Sequence, residues 1–219
     1  MGAVRDKVPV YCHARGKNSK EALEEVLPKI EKYGYKACKT SVPGIGYFPM
    51  GAYHRRLVEM FEGMRKALGD DYEIGIDMQS KIYDPIEGKR VCNLLEPYRP
   101  FFVEEPIRPD NLDNWAKLAE GVNVPLATGE QIFDLYTYEK LIQLHAADIL
   151  QPDILLCGGI TGMKKIAALA EPSFRRISPH NPLSSLANCI NVHFCMSTYN
   201  ITFLENEPKE EGMDAELCT

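Results

Sequence analysis

Long apolar runs are missing from this chain: none approaches the ~18 residues that a membrane-spanning helix needs. The opening residues MGAVRDKVPV hold no apolar segment of the kind that directs export. Asp6 stands at the sixth position, where a myristoylation signal after Met1-Gly2 wants Ser or Thr. Positive charge is in deficit as well, with 25 Lys and Arg against 31 Asp and Glu and a net charge of -6. Without a basic stripe to neutralise phosphates, no nucleic-acid partner is expected, and no membrane partner either. The seven cysteines (12, 38, 92, 157, 189, 195, 218) form no CxxC pair and share no spacing, which argues against a zinc site or a disulfide framework. They read as reduced thiols of a cytoplasmic protein. Low-complexity tracts and linkers are absent too.

What is present is a chain of 219 residues, long enough for one domain with a substantial core. Short β-rich runs alternate with helical patterns, the signature of a parallel sheet with crossover helices. Strands are expected at 8–12, 37–41, 73–77, 101–104, 125–128, 149–151, 176–178 and 201–204, and helices at 19–33, 55–68, 111–120, 135–145, 163–170 and 186–196. Asn18 and Glu21 make an N-terminal capping pair, Gly34, Gly69 and Gly121 read as stops, and Pro28 should kink the first helix. Eight strands predict a closed α/β barrel of the TIM type occupying residues 1–208, followed by a short acidic tail at 209–219.

In such a barrel the functional groups gather at the carboxyl ends of the strands. Seven of the eight expected strand ends carry a charged or titratable residue: Lys39, Asp77, Glu104, Glu130, Asp153, His180 and Glu205. Charge of this density is a poor choice for a core. Asp77, Glu104 and Glu130 recur 27 and 26 residues apart, one strand-helix-strand unit each. One such carboxylate alone is most often a helix cap or an ion-pair partner; three in register converge hard oxygen donors on one place, which suits Mg²⁺. Asp153 lies one strand before His180, and a carboxylate beside an imidazole fixes its tautomer and raises its basicity, so the pair is a candidate general base. His13, just after the first strand, is placed at the mouth to touch substrate. His54, His145 and His193 fall in or beside helical patterns and are read as surface or core-edge residues, and Glu105 and Glu207 as supporting ion-pair partners.

Four ordered motifs, EPYRPFFVEEP (96–106), PLATGE (125–130), DILQPDILLCGGITGMKKIAALAE (148–171) and SPHNPL (178–183), resemble the mandelate racemase branch of the enolase superfamily. Within it the likeness is to acid-sugar dehydratases of the galactonate and mannonate type. The resemblance implies Asp77, Glu104 and Glu130 as Mg²⁺ ligands, His180 with Asp153 as catalytic base and acid, and Glu205 as a hydrogen-bond partner of the enolate. It implies a lyase that removes water from an aldonic acid such as D-galactonate or D-mannonate, giving a 2-keto-3-deoxy acid. A homo-oligomer and a small-molecule sugar acid are the partners it suggests.

Departures from the pattern refine this. Racemases of the branch carry Lys-x-Lys at the second strand, whereas here Lys39 is followed by Thr40 and Ser41. With the second base gone dehydration is favoured over racemisation, and Lys39 is left to neutralise the substrate carboxylate or enolate. Gln79 stands where galactonate-type dehydratases have a His that protonates the leaving hydroxyl; an amide cannot, so Gln79 is read as a substrate contact. Gln131 replaces an Arg that commonly follows the third ligand. The first barrel strand falls close to residue 1, so most of the family's N-terminal capping domain is expected to be lacking. Two alternatives stay open: a one-base epimerase working through the same enolate, and a non-catalytic barrel without its cap.

Overall fold

A computed structural model describes residues 2–41, 50–182 and 184–207; the expected acidic tail and Cys218 lie outside the described residues. The strands are β1 (Val10–Ala14), β2 (Ala37–Ser41), β3 (Glu73–Asp77), β4 (Val103–Glu104), β5 (Leu126–Thr128), β6 (Ile149–Leu150), β7 (Arg176–Ile177) and β8 (Leu204–Glu205). Between them run α1 (Ser19–Tyr33), α2 (Met50–Leu68), α3 (Pro85–Leu95), α4 (Leu112–Ala119), α5 (Leu135–Gln143), α6 (Gly159–Ala170) and α7 (Ser185–Met196). The strands form one sheet in the order β7-β6-β5-β4-β3-β2-β1-β8, and the strand pairings that bear on the site are parallel. A parallel bridge between Ile177 and Ile201 also joins β7 to the segment entering β8. This is the eight-stranded α/β arrangement of a TIM-type barrel.

Two compact units make up the chain: Cys12–Ala127, and the N-terminal residues through Tyr11 together with the chain from Thr128 onward. In the first, strands alternate faces with period two. Ile74 and Ile76 of β3 are buried, as are Leu57, Met60, Phe61 and Met64 of α2, while Gly75 and Asp77 take the opposite face of β3. A Cβ on Gly75 would meet the Phe102 ring at 2.8 Å. Glycine there admits a large aromatic two residues before Glu104, in a position paired across the sheet with Lys39. Buried Arg65 of α2 gathers the backbone carbonyls of Tyr98, Gly69, Tyr72 and Arg99, tying together the turns that precede β3 and β4.

Local chemistry explains the element ends. Asn18 Oδ1 accepts from the Glu21 N–H at 3.0 Å and Glu21 reaches back to the Lys17 N–H at 2.9 Å, a reciprocal cap displaced by one residue from the usual box. Gly34 closes α1 with φ 73° and donates to the Ile30 carbonyl. Gly69 is likewise left-handed after α2, but Gly121 is not: α4 ends at Ala119 on a right-handed Glu120. The helix α1 continues through Pro28 to Tyr33.

The main element that sequence reading left out is α3. Asp84 caps it through the Ile86 and Glu87 N–H groups, with Pro85 at its first position. Gly88 interrupts its apolar pattern, and a Cβ there would come within 2.8 Å of Ile107. Close packing against the following element requires the residue that hides the helix. The first strand lies two residues later than expected, at Val10–Ala14, a shift that leaves every side chain on its face because the period is two. The eighth is confined to Leu204–Glu205, and Ile201 joins only by the bridge to Ile177.

Candidate active site

Within the unit Cys12–Ala127, β2, β3 and β4 bring three of the expected residues together. Asp77 and Glu104 are paired residues at the ends of adjacent parallel strands. Lys39 Nζ lies 2.9 and 3.0 Å from the two carboxylate oxygens of Glu104 and 3.9 Å from Asp77 Oδ2. Lys39 and Glu104 are 5% and 0% exposed, so this is an ion pair withdrawn from water, where charge attraction is strong and loss of either partner is costly. His13 sits on β1 in register with Lys39 and its ring is contacted by the Arg15 guanidinium, itself paired with Glu25.

The loop after Asp77 is conformationally unusual. Gln79, Ser80 and Glu105 have φ of 51°, 55° and 39°, a left-handed conformation that costs about 1–3 kcal/mol per non-glycine residue. Hydrogen bonds hold it: the Gln79 N–H to Asp77 Oδ1 at 2.8 Å, Ser80 Oγ to Glu105 Oε2 at 2.6 Å, and the Ser80 N–H to the Glu105 carbonyl at 2.8 Å. Glu105, read as a residue in a supporting role, is fully buried and accepts from Ser80 Oγ, and Gln79 is exposed.

The other unit assembles Glu130, Asp153 and His180. His180 Nδ1 is 2.9 Å from Asp153 Oδ2 and its Nε2 is 3.1 Å from Glu130 Oε2, so both ring nitrogens face carboxylate oxygens. Asp153 is 2% exposed and also accepts from the Leu155 N–H at 2.8 Å, which fixes it as the rigid partner. The His180 N–H bonds the Pro152 carbonyl, and Asp153 and His180 form a parallel bridge. Gly129 places Glu130: its φ of 140° is open to glycine, and a Cβ would meet the Gln151 nitrogen and the Tyr138 hydroxyl, each at 2.9 Å. Glu205, 1% exposed, accepts the Asn181 N–H at 2.7 Å through Oε2.

Among the described residues no group of three His, Cys, Asp or Glu side chains is arranged to hold a metal ion. The donors nevertheless suit Mg²⁺. Asp77 and Glu104 present hard carboxylate oxygens on adjacent strand ends, and the Lys39 ammonium lying against both marks a point that favours a cation.

The family model described as enolase C-terminal domain-like matches residues 21–219. The chain belongs to this enolase C-terminal domain-like family. It is 32% identical over 207 residues to a D-galactonate dehydratase of Klebsiella pneumoniae (strain 342), covering 93% of this chain and 53% of that protein. Among solved structures, one from Agrobacterium radiobacter, named an enolase and candidate galactarate dehydratase with sodium and L-malate bound, is 38% identical with a TM-score of 0.90. It aligns with 94% of this chain and 53% of its own. An enolase from Pantoea ananatis with bound D-gluconate and Mg is 27% identical with a TM-score of 0.86, over 96% of this chain and 59% of that one. The chain thus spans about half the length of these enolase relatives. No described helix is long and apolar enough to cross a membrane.

Sequence reasoning missed a group of amides in this enolase-type barrel: Asn181, Asn188 and Asn191, hydrogen-bonded around Glu205. A signal was available, since Asn191 falls on the same face of α7 as buried Ala187, Phe194 and Cys195, where an apolar residue is the default.

Proposed function

We propose that the chain is the barrel of a Mg²⁺-dependent lyase that removes water from an aldonic acid of the D-galactonate or D-mannonate kind, giving a 2-keto-3-deoxy acid through an enolate. The observation that carries this reading is the imidazole of His180 set between two carboxylates, with Asp153 2.9 Å from Nδ1 and Glu130 3.1 Å from Nε2. A relative of 32% identity that is itself named a D-galactonate dehydratase supports it.

In this reading Asp153 accepts from Nδ1–H, so the lone pair resides on Nε2, where the Glu130 carboxylate 3.1 Å away donates nothing to it and raises its basicity toward the α-proton of the acid. The flanking carboxylate charges stabilise the imidazolium that forms. Bound Mg²⁺, held by Asp77, Glu104 and Glu130, would supply Lewis-acid stabilisation of the doubly charged enolate. Lys39 contributes a second positive charge for the substrate carboxylate or enolate, and Glu205 a hydrogen-bond partner on the enolate side. The β-hydroxyl then leaves as water; His180, protonated in the first step, supplies that proton when both groups lie on one face of the substrate. The enol tautomerises to the keto acid. His13 and exposed Gln79 are assigned contacts to the distal hydroxyls, a role that needs no titration from Gln79.

The test is incubation of the chain with Mg²⁺ and a panel of C5 and C6 aldonic and aldaric acids in D₂O, with water loss and deuterium uptake read by mass spectrometry. Water loss from one or more acids, abolished in His180→Asn, is the expected result. Deuterium uptake without water loss would replace the reading with a one-base epimerase, and silence across the panel would remove it.

A further inference from the structure

Asn181 makes four hydrogen bonds, and all of them concern Glu205 or the helix behind it. Its N–H donates to Glu205 Oε2 at 2.7 Å. Its side-chain Nδ2 donates to the Glu205 carbonyl and to Asn188 Oδ1, each at 2.9 Å. Its Oδ1 accepts from Asn191 Nδ2 at 3.0 Å. Both amide hydrogens and the amide oxygen of Asn181 are therefore used. Asn188 Oδ1 accepts a second bond, from Asn206 Nδ2 at 3.1 Å, so the residue after Glu205 is bound into the same group.

This arrangement works against stability taken alone. Asn is a weaker helix former than Ala or Leu, and an amide 0% exposed in the interior of α7 has been desolvated for the sake of its partners. An apolar side chain would pack there at no such cost. What the amides achieve is directional. Asn191 Oδ1 is buried with no hydrogen-bond partner among the described residues, so what the group supplies is the direction of the bonds centred on Asn181, whereas apolar packing tolerates several geometries. The residue so fixed follows His180 directly, and the His180 N–H is pinned on its other side to the Pro152 carbonyl.

We infer that Asn181, braced by Asn188 and Asn191 of α7, is a positioning residue that locks Glu205 and the His180 loop into a single relative geometry. The inference rests on the reading of His180 and Glu205 as proton-transfer and enolate partners, and the experiment separates the two. The full chain is labelled with ¹⁵N, and hydrogen exchange of the Asn181 backbone amide is measured in the parent, in Asn191→Leu and in Asn188→Ala; the half-exposed Asn188 variant serves if the core substitution does not fold. Exchange at Asn181 is expected to accelerate tenfold or more while amides in α5 and β6 keep their protection. On an acid that the parent dehydrates, kcat should fall tenfold or more with KM held within twofold, a split that general loosening of the fold would not give. Unchanged exchange at Asn181 in the folded variants, or an unchanged kcat, overturns the inference. Absence of turnover in the parent refutes the lyase reading, and the exchange measurement then decides the clamp by itself.

Discussion

Replacing Lys39 by Met removes the ammonium that lies 2.9 and 3.0 Å from the carboxylate oxygens of Glu104 and leaves the stem's volume in place. Glu104 is 0% exposed, so its charge has no recourse to bulk water. Breaking a buried pair from one side typically costs about 3–5 kcal/mol. In a chain of this size 1 kcal/mol moves the melting temperature by about 2–4 °C, so a drop of about 6–20 °C is expected in EDTA. Thermal unfolding followed by circular dichroism reads the temperature shift and urea unfolding the free energy, each with EDTA and then with Mg²⁺. Under the proposed metal assignment a divalent cation at Asp77 and Glu104 would restore positive charge where Lys39 was, so Mg²⁺ should stabilise Lys39→Met by more than it stabilises the parent. The double variant Lys39→Met/Glu104→Leu, which removes both charges, should regain most of the loss. A loss below about 1 kcal/mol in EDTA, the scale of an exposed ion pair, would refute the claim that the pair is shielded from water. Equal Mg²⁺ stabilisation of parent and variant would refute the shared cation position.

Gly129→Ala should cost roughly 2 kcal/mol or more, because a Cβ would crowd the Gln151 nitrogen and the Tyr138 hydroxyl at 2.9 Å on a backbone with φ 140°; denaturant titration checks the cost, and a change under about 0.5 kcal/mol would show that the site relaxes freely. Burial pushes the thiols of Cys92 and Cys195 up to about 12, and burial with the Asp153 charge pushes Cys157 up to about 11. Iodoacetamide at pH 8 on the folded chain should therefore modify half-buried Cys189 well before these three, as peptide mass spectrometry would show. The unfolded chain releases these protons from about pH 8.5 while the folded chain holds them, so stability should fall as pH rises from there toward about 12. Flat stability over that range would contradict the raised thiol values.

Much of the framework was legible one residue at a time. The strand–helix alternation, the cap at Asn18, the stop at Gly34 and the acidic residues closing β3, β4 and β8 are local signals, written in side-chain period and in backbone preference. The register between the first two strands, Cys12 beside Cys38 and His13 beside Lys39, was not read from the sequence and comes from the structure. The helix α3 was hidden because Gly88 answers to Ile107, a neighbour 19 residues along the chain, and not to its own turn.

By itself the sequence determined the class of the fold and that Asp77, Glu104 and Glu205 close their strands, since both follow from short-range patterns, whereas Lys39 falls in the middle of β2. The His180–Asp153 pair was expected from its one-strand spacing, but only the tertiary structure decided the other partners: Lys39 with Glu104 across 65 residues, Glu130 with His180, and Asn181 bonded to both Glu205 and α7. Hydrogen bonds and ion pairs act over about 3 Å in space, whereas separation along the chain sets only the entropy of bringing the groups together, so no local pattern encodes them.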